Sequence, residues 1–351
     1  MPHRHRGIFL FGFELELILE PRPDAPIKRW EDFTQELSNL LSHNSIQNQI
    51  LRDGTSPNYK KWTITSDGSI KQNRGKQWDL ELISVIHGKH DDWKKAQNAL
   101  WPALQSRFSI MPSDRCGTHV HVSCKRKNGW GLKGLQRVAK AVVYYERCID
   151  SLMPEHRLRN RFCKNNRYNP ALWNKSMKEI FEAIDAYEGP KGHSKLAGLI
   201  SPDRCYRWNF SSMTKSNPNS RTIEFRQPPG CTTVDEAVLW PQFALKFISS
   251  AFSNSFLNDP DFGEAHNPPM DEFRQFLRKG SSLTYNLDES AIDQLFHNKD
   301  KLEEGMYEED SLTSEDDSYV LLRERIGDAA DFMLQTATAE LPPDELLEDG
   351  D

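Results

Sequence analysis

The stretch Thr118–Ser123, T-H-V-H-V-S, alternates two histidines with two valines. A strand repeats every two residues, so His119 and His121 share one face, roughly 6.5 Å apart, and Val120 and Val122 share the other. Three more stretches are built the same way. In F-G-F-E-L-E-L-I-L, Glu14 and Glu16 oppose Phe13, Leu15 and Leu17. In Q-W-D-L-E-L-I-S, Asp79 and Glu81 oppose Trp78, Leu80 and Leu82. In R-T-I-E-F-R-Q, Glu224 and Arg226 oppose Ile223 and Phe225. Four strands each carry one apolar face and one chemically loaded face, and in a single sheet the loaded faces would gather.

Working outward, strands are expected at 7–19, 60–67, 77–86, 117–124, 205–213 and 220–227, the last two as a hairpin around T-K-S-N-P-N. Apolar residues at helical spacing predict helices at 30–51, 91–107, 131–153 and 233–253, the last bent or begun late at Pro241. Leu135, Val138, Val142, Tyr145 and Ile149 form one stripe of the third. Residues 154–200 give no clear period. Strands that follow one another without a crossover helix favour an antiparallel sheet, hence an α+β fold, with Trp62, Trp78, Trp93 and Trp101 packing a helix layer on its apolar side. The body is expected to run over 1–255, a mainly helical extension over 256–335 with a last helix near 319–335, and a disordered acidic tail over 336–351.

The net charge of -6 is unevenly placed. Residues 301–351 hold seventeen acidic and three basic side chains, or -14, which leaves +8 on the first three hundred residues. A basic body suits an anionic ligand. No run of eighteen apolar residues predicts a membrane-spanning helix. The apolar run after M-P-H-R-H-R is broken by Glu14 too soon for a secretory signal and reads as a strand. The six cysteines form no C-x-x-C pair and are expected as reduced thiols in a cytoplasmic protein.

A half-solvated strand face more usually shows Lys, Thr, Ser and Gln. Clustered carboxylates repel one another unless cations hold them together, so the loaded face predicts a polyvalent metal site. Mostly oxygen donors with one or two imidazoles suit Mg2+ or Mn2+ better than zinc, and i, i+2 carboxylates can each reach a different ion. Neither G-x-x-x-x-G-K-S/T nor G-x-G-x-x-G follows a strand, so the standard phosphate loops are absent.

The ordered set G-F-E-L-E (12–16), S-D-G-S (66–69), D-L-E-L-I-S (79–84), G-T-H-V-H-V-S (117–123), R-W-N-F (207–210) and T-I-E-F-R (222–226) resembles the amidoligase family of carboxylate–amine ligases. The resemblance spans about residues 7–250. It implies a glutamine synthetase-like catalytic fold, a curved, mainly antiparallel sheet with helices on one side. It also implies an ATP-dependent ligase that forms an amide or isopeptide bond through an acyl phosphate and releases ADP and phosphate. Carried over by position, Glu14, Glu16, Glu81, His119 and Glu224 would ligate two Mg2+ (or Mn2+) ions, and His121 would face the ATP phosphates. Arg226 would stabilise the transferring phosphoryl group, Arg207 and Asn209 would contact phosphate or the substrate carboxylate, and Asp67 would lie near the incoming amine. The partners implied are a small-molecule or peptide carboxylate and an amine. The chain departs from the family pattern in F-R-Q-P-P-G, where two prolines follow Arg226 and can reshape the loop.

Other readings stay open. The H-x-H pair could serve a cupin-like or hydrolytic zinc or iron enzyme, although no third histidine shares such a strand face. A non-catalytic descendant could bind partners through the acidic tail. In the basic run 155–167, Arg157 and Arg161 stand at i, i+4 and could converge on a phosphate if helical. No nucleic-acid-binding module is recognisable. His3 and His5 precede the first strand and are expected to be disordered, while His87, His90 and His193 are expected at the surface.

Overall fold

The computed structural model describes residues 9–22, 27–52, 55–70, 76–88, 93–126, 129–167, 169–253, 268–280 and 289–296. Among the described residues eight strands appear in chain order: β1 (Phe9–Pro21), β2 (Asn48–Ile50), β3 (Trp62–Thr65), β4 (Trp78–Ile83), β5 (Phe108–Met111), β6 (Thr118–Cys124), β7 (Trp208–Asn209) and β8 (Thr222–Phe225). The helices are α1 (Trp30–His43), α2 (Trp93–Arg107), α3 (Leu132–Tyr144), α4 (Glu146–Leu152), α5 (Glu155–Leu158), α6 (Met177–Asp185), α7 (Gly192–Ile200), α8 (Val234–Ser253), α9 (Met270–Gly280) and α10 (Glu289–Phe296).

The strands form one sheet in the order β2-β3-β4-β1-β6-β8-β7, with β5 pairing the far end of β1. Every pairing is antiparallel except β2 with β3, so the expected α+β, mainly antiparallel architecture is what the chain adopts. The alternation in β1 sets the layers. Phe9, Phe11, Phe13, Leu15, Leu17 and Leu19 are all buried in the main core with Leu80, Leu82, Val120, Val122, Ile223 and Phe225. Helices α1, α2, α3 and α8 cover that face, and each fully buried aliphatic or aromatic side chain contributes about 1.5–3 kcal/mol. The opposite face is left for the polar residues.

Several expectations need correction. The helix expected over 30–51 stops at His43, because Ser45 takes φ 61° and the Asn48 side chain bonds Ser38, Ser42 and Ile46 to close a turn. Residues 48–50 then pair with 62–64 as a parallel strand. The helix expected over 131–153 breaks at Tyr145 (φ -91°, ψ 8°) into α3 and α4. Helix α8 does not start late at Pro241. It begins at Val234, where Thr233 and Glu236 exchange hydrogen bonds as an N-terminal cap. The expected hairpin exists but is short, Trp208–Asn209 against Thr222–Phe225, because Ser211–Thr214 winds into a 3-10 turn. In the unassigned stretch, α6 is fixed by a capping box between Ser176 and Glu179.

The boundary expected at residue 255 does not divide the packing. Phe273, Phe276 and Leu277 of α9 are buried in the same core, and the Tyr145 hydroxyl donates to Glu272 at 3.0 Å. The compact unit runs over 1–299, and residues 300–351, with the helix expected near 319–335 and the acidic tail, lie outside the described residues, as do His3, His5 and His90. All six cysteines are free thiols. Among the described residues no helix is long and apolar enough to cross a membrane.

Candidate metal and phosphoryl-transfer site

Register converts the period-two patterns into a cluster. Glu16 stands opposite Glu81 across β1 and β4, and Glu14 opposite His119 across β1 and β6. His121 stands opposite Glu224 across β6 and β8, and Asn209 opposite Glu224 across β7 and β8. Residues directly opposite in antiparallel strands project to the same side, so these side chains share the face away from the helices.

His119 sits among three carboxylates. Its Nδ1 lies 3.2 Å from Glu14 Oε2 and 3.6 Å from Glu224 Oε1, and its Nε2 lies 3.5 Å from Glu16 Oε1. His121 Nε2 is 3.1 Å from Glu14 Oε1 and 3.8 Å from Glu224 Oε1. Glu224 accepts from Asn209 Nδ2 at 2.8 Å and from Arg226 Nη1, and Glu16 accepts from the Gly117 amide. Glu16, His119, Glu224 and Asn209 are buried, whereas Glu14, His121 and Arg226 are only partly covered.

Carboxylates and imidazoles this close shift one another's protonation. Burial pushes the Glu14 carboxyl up, but the charges and hydrogen bonds of His121 and His119 outweigh it and hold it well below the usual range. Glu224 is lowered in the same way by His121, Arg226 and His119 against burial. Glu81 has no such neighbours. Burial, then Glu14, Asp67 and Glu16, push it up to about 10. Burial also raises Glu16. For His121, burial works downward, yet Glu14 and Glu224 raise it to about 9. At neutral pH the free protein therefore keeps protons on Glu81 and His121 in the midst of the cluster.

A divalent cation fits there. Single ligand atoms of Glu14, His121 and Glu224 lie within 4.8 Å of one another. His121 Nε2 is buried and finds no partner in good hydrogen-bond geometry, although Glu14 is close. The donor set is mostly carboxylate, which suits Mg2+ or Mn2+. The geometry groups His121 with the carboxylates, whereas the resemblance had it on the ATP phosphates.

Other expected residues separate. Arg226 stands at the cluster, bonded to Glu224. Asp67 is half-buried, accepts from the Ser69 amide at 2.7 Å, and adds its charge to the upward push on Glu81 and Glu16. Arg207, expected on phosphate or substrate, is 1% exposed and bonded at all three nitrogens, to Asp150 at 2.7 Å, the Leu158 carbonyl at 2.8 Å and the Cys163 carbonyl at 3.3 Å. Asn209 spends its amide on Glu224 and its carbonyl on the Ser211 amide, so it holds the Glu224 carboxylate rather than standing free for a substrate. Arg157 and Arg161 do not converge, because α5 ends at Leu158. Arg157 is buried, and exposed Arg161 lies over the Phe162 ring. His87 is not at the surface: it is buried on the apolar side, stacked 5.7 Å from Phe13. Among the described residues no third histidine joins the cluster.

Sequence reasoning missed Tyr59. Its ring is half-exposed, and partial burial, then the charges of Glu14 and Glu81, raise its hydroxyl. Tyr59 and Ile86, two of the most exposed large apolar residues, line a cavity of about 840 Å³ with Pro57, Lys60 and Trp93. The loop 55–61 has no period and no motif that could have announced it.

A family model described as "Putative amidoligase enzyme" matches residues 8–248. No curated protein matches the chain. Among solved structures, the chain is similar to the cryo-EM structure of Plasmodium falciparum glutamine synthetase at 12% identity, with 87% of this chain and 75% of that chain covered and a TM-score of 0.32.

Proposed function

Because the chain belongs to the amidoligase family, we propose that it is an ATP-dependent carboxylate–amine ligase whose chemistry runs on the polar face of the sheet. The observation that carries this reading is the convergence of Glu14, Glu16, Glu81, His119, His121 and Glu224 with Arg226 at its margin. Glu14, Glu224 and His121 would hold one Mg2+ (or Mn2+), and Glu16, Glu81 and His119 would hold a second. Bound there, the ions would neutralise the phosphate oxygens of ATP.

In the reaction, an oxygen of the substrate carboxylate attacks the γ-phosphorus and the bond to the β–γ bridging oxygen breaks, releasing ADP. The amine nitrogen then attacks the acyl carbon of the acyl phosphate, and the bond to the phosphate oxygen breaks, releasing inorganic phosphate. Arg226 supplies a fixed cation against the charge that develops on the transferring group, a kind of preorganised stabilisation worth several kcal/mol in a site shielded from water. The Asp67 carboxylate accepts the proton that the amine must lose. Asn209 keeps Glu224 in place.

Calorimetric titration of the purified protein with ATP, with and without magnesium, tests the reading without a guess at substrate. Magnesium-dependent binding in the parent that is lost in Glu14→Gln supports it, and a screen of acids with hydroxylamine as the amine would then trap the acyl phosphate as a hydroxamate. No nucleotide binding, together with stoichiometric zinc or iron in the preparation, would overturn it.

A further inference from the structure

Arg157 stands apart in the basic run 155–167. Arg159 and Arg161 are exposed, whereas Arg157 is 2% exposed. Taking a guanidinium out of water is costly unless its donors are met. Among the described residues no carboxylate lies within ion-pair distance of it. Its donors go instead to two successive main-chain carbonyls: Nε to Gln227 at 2.9 Å and Nη2 to Arg226 at 2.8 Å. The main chain that Arg157 grips is that of the arginine at the margin of the cluster.

The rest of that segment is held as well. The Arg226 amide donates to the Arg207 carbonyl at 2.8 Å, and the Gln227 side chain donates to Asp150 at 2.7 Å. The two prolines that follow cannot donate, but their carbonyls accept from the Thr118 amide at 3.2 Å and the Thr118 hydroxyl at 3.0 Å. Gly117 makes room for this arrangement. A Cβ there would stand 2.9 Å from Arg157 Nη2, 3.2 Å from His119 Nε2 and 3.3 Å from Glu16 Oε2. One guanidinium therefore reaches both the Arg226 carbonyl and the neighbourhood of the Glu16 carboxylate.

We propose that Arg157 is a positioning residue that clamps the main chain at Arg226–Gln227 and so fixes the Arg226 guanidinium for the phosphoryl group. The proposal rests on the ligase reading for the purpose of the clamp, though not for its existence. Selective labelling of arginine Nε reads the clamp in the nucleotide-free protein. The Arg226 Nε–H, which donates to the Phe162 carbonyl, should exchange with solvent faster in Arg157→Lys and Arg157→Met than in the parent. Its purpose is read by the affinity that aluminium fluoride, a mimic of the transferring phosphoryl group, adds to MgADP binding. In the variants MgADP affinity should stay within about twofold while the added affinity falls about tenfold or more. Combining Arg157→Met with Arg226→Gln should cost no more than Arg226→Gln alone.

A merely structural arginine would lower both affinities together, or neither. An unchanged Arg226 Nε–H signal in the Arg157 variants, or losses that add in the double variant, would overturn the proposal. Should Arg157→Met fail to fold, Arg157→Lys carries the same comparison, with Gln227→Met, which removes the bond to Asp150 and leaves the Arg157 bonds to the main chain, as the control that should keep the added affinity. If the parent itself binds no MgADP, the ligase reading falls, and the exchange rates still decide whether Arg157 holds Arg226.

Discussion

The His121 proton offers the sharpest test of the cluster, and Glu14→Gln is the perturbation. In the parent, burial lowers the imidazole, and the next largest influence is the Glu14 charge, whose carboxylate is 3.1 Å away, followed by Glu224. Together these bring His121 to about 9. Glutamine keeps the shape and removes the charge. Burial, the largest influence, then outweighs what Glu224 still supplies, so His121 should titrate below its ordinary 6.5. Moving from about 9 to below 6.5 at about 1.4 kcal/mol per tenfold is a loss on the order of 3 kcal/mol of attraction. A Coulomb energy of about 5 kcal/mol for unit charges 3.1 Å apart at an effective dielectric near 20 is of the same order. The assay is the pH titration of the His121 ring protons by NMR in metal-free protein. The stability consequence has a definite sign. The His121 contribution is complete below 6.5 and disappears as pH rises through about 9, so the melting-temperature gap between parent and variant should narrow across that window. A His121 that still titrates near 9 in Glu14→Gln would refute the pairing.

Loading metal-free protein with Mn2+ near pH 7.5 should release protons, because Glu81 at about 10 and His121 at about 9 are both protonated in its absence and a cation favours their unprotonated forms. Binding enthalpies measured in two buffers of different ionisation heat count them, and Glu81→Gln should lower the count. Gly117→Ala should destabilise by about 1–3 kcal/mol, since the new methyl meets Arg157, His119 and Glu16 within 3.3 Å, and thermal melts with a Mn2+ titration read both effects. Arg207→Met should cost about 3–5 kcal/mol, because Asp150 loses its cationic partner and keeps the Gln227 amide; a normal melting curve with lost activity would instead return Arg207 to the substrate. Phe276→Ala should cost about 3–5 kcal/mol by denaturant unfolding, since its ring lies 4.5 Å from Tyr145 and 5.5 Å from Phe247; an undisturbed midpoint would restore the boundary at 255.

The sequence alone determined which residues share a face. Alternation is a local property of an extended chain, so Glu14 with Glu16, His119 with His121, and Glu224 with Arg226 could be paired before any strand was placed. The ordered motifs added the family, and the family match spans nearly the same residues. What an arginine or a histidine does was decided only in three dimensions, because side-chain partners come from distant segments. Arg157 and Arg161 looked alike at i, i+4, yet α5 ends between them, and Arg157 bonds residues seventy positions away. Arg207 looked like a substrate contact until Asp150, Leu158 and Cys163 closed around it. His87 was expected at the surface but stacks in the core, and Tyr59, in an unpatterned loop, feels the charges of Glu14 and Glu81. Ends of elements were equally non-local. Ile46 and Ile50 continued the helical spacing of α1, but a turn at Ser45 and pairing with β3 took them out of it. Periodicity reports the face a residue occupies, and packing against remote segments decides what stands opposite.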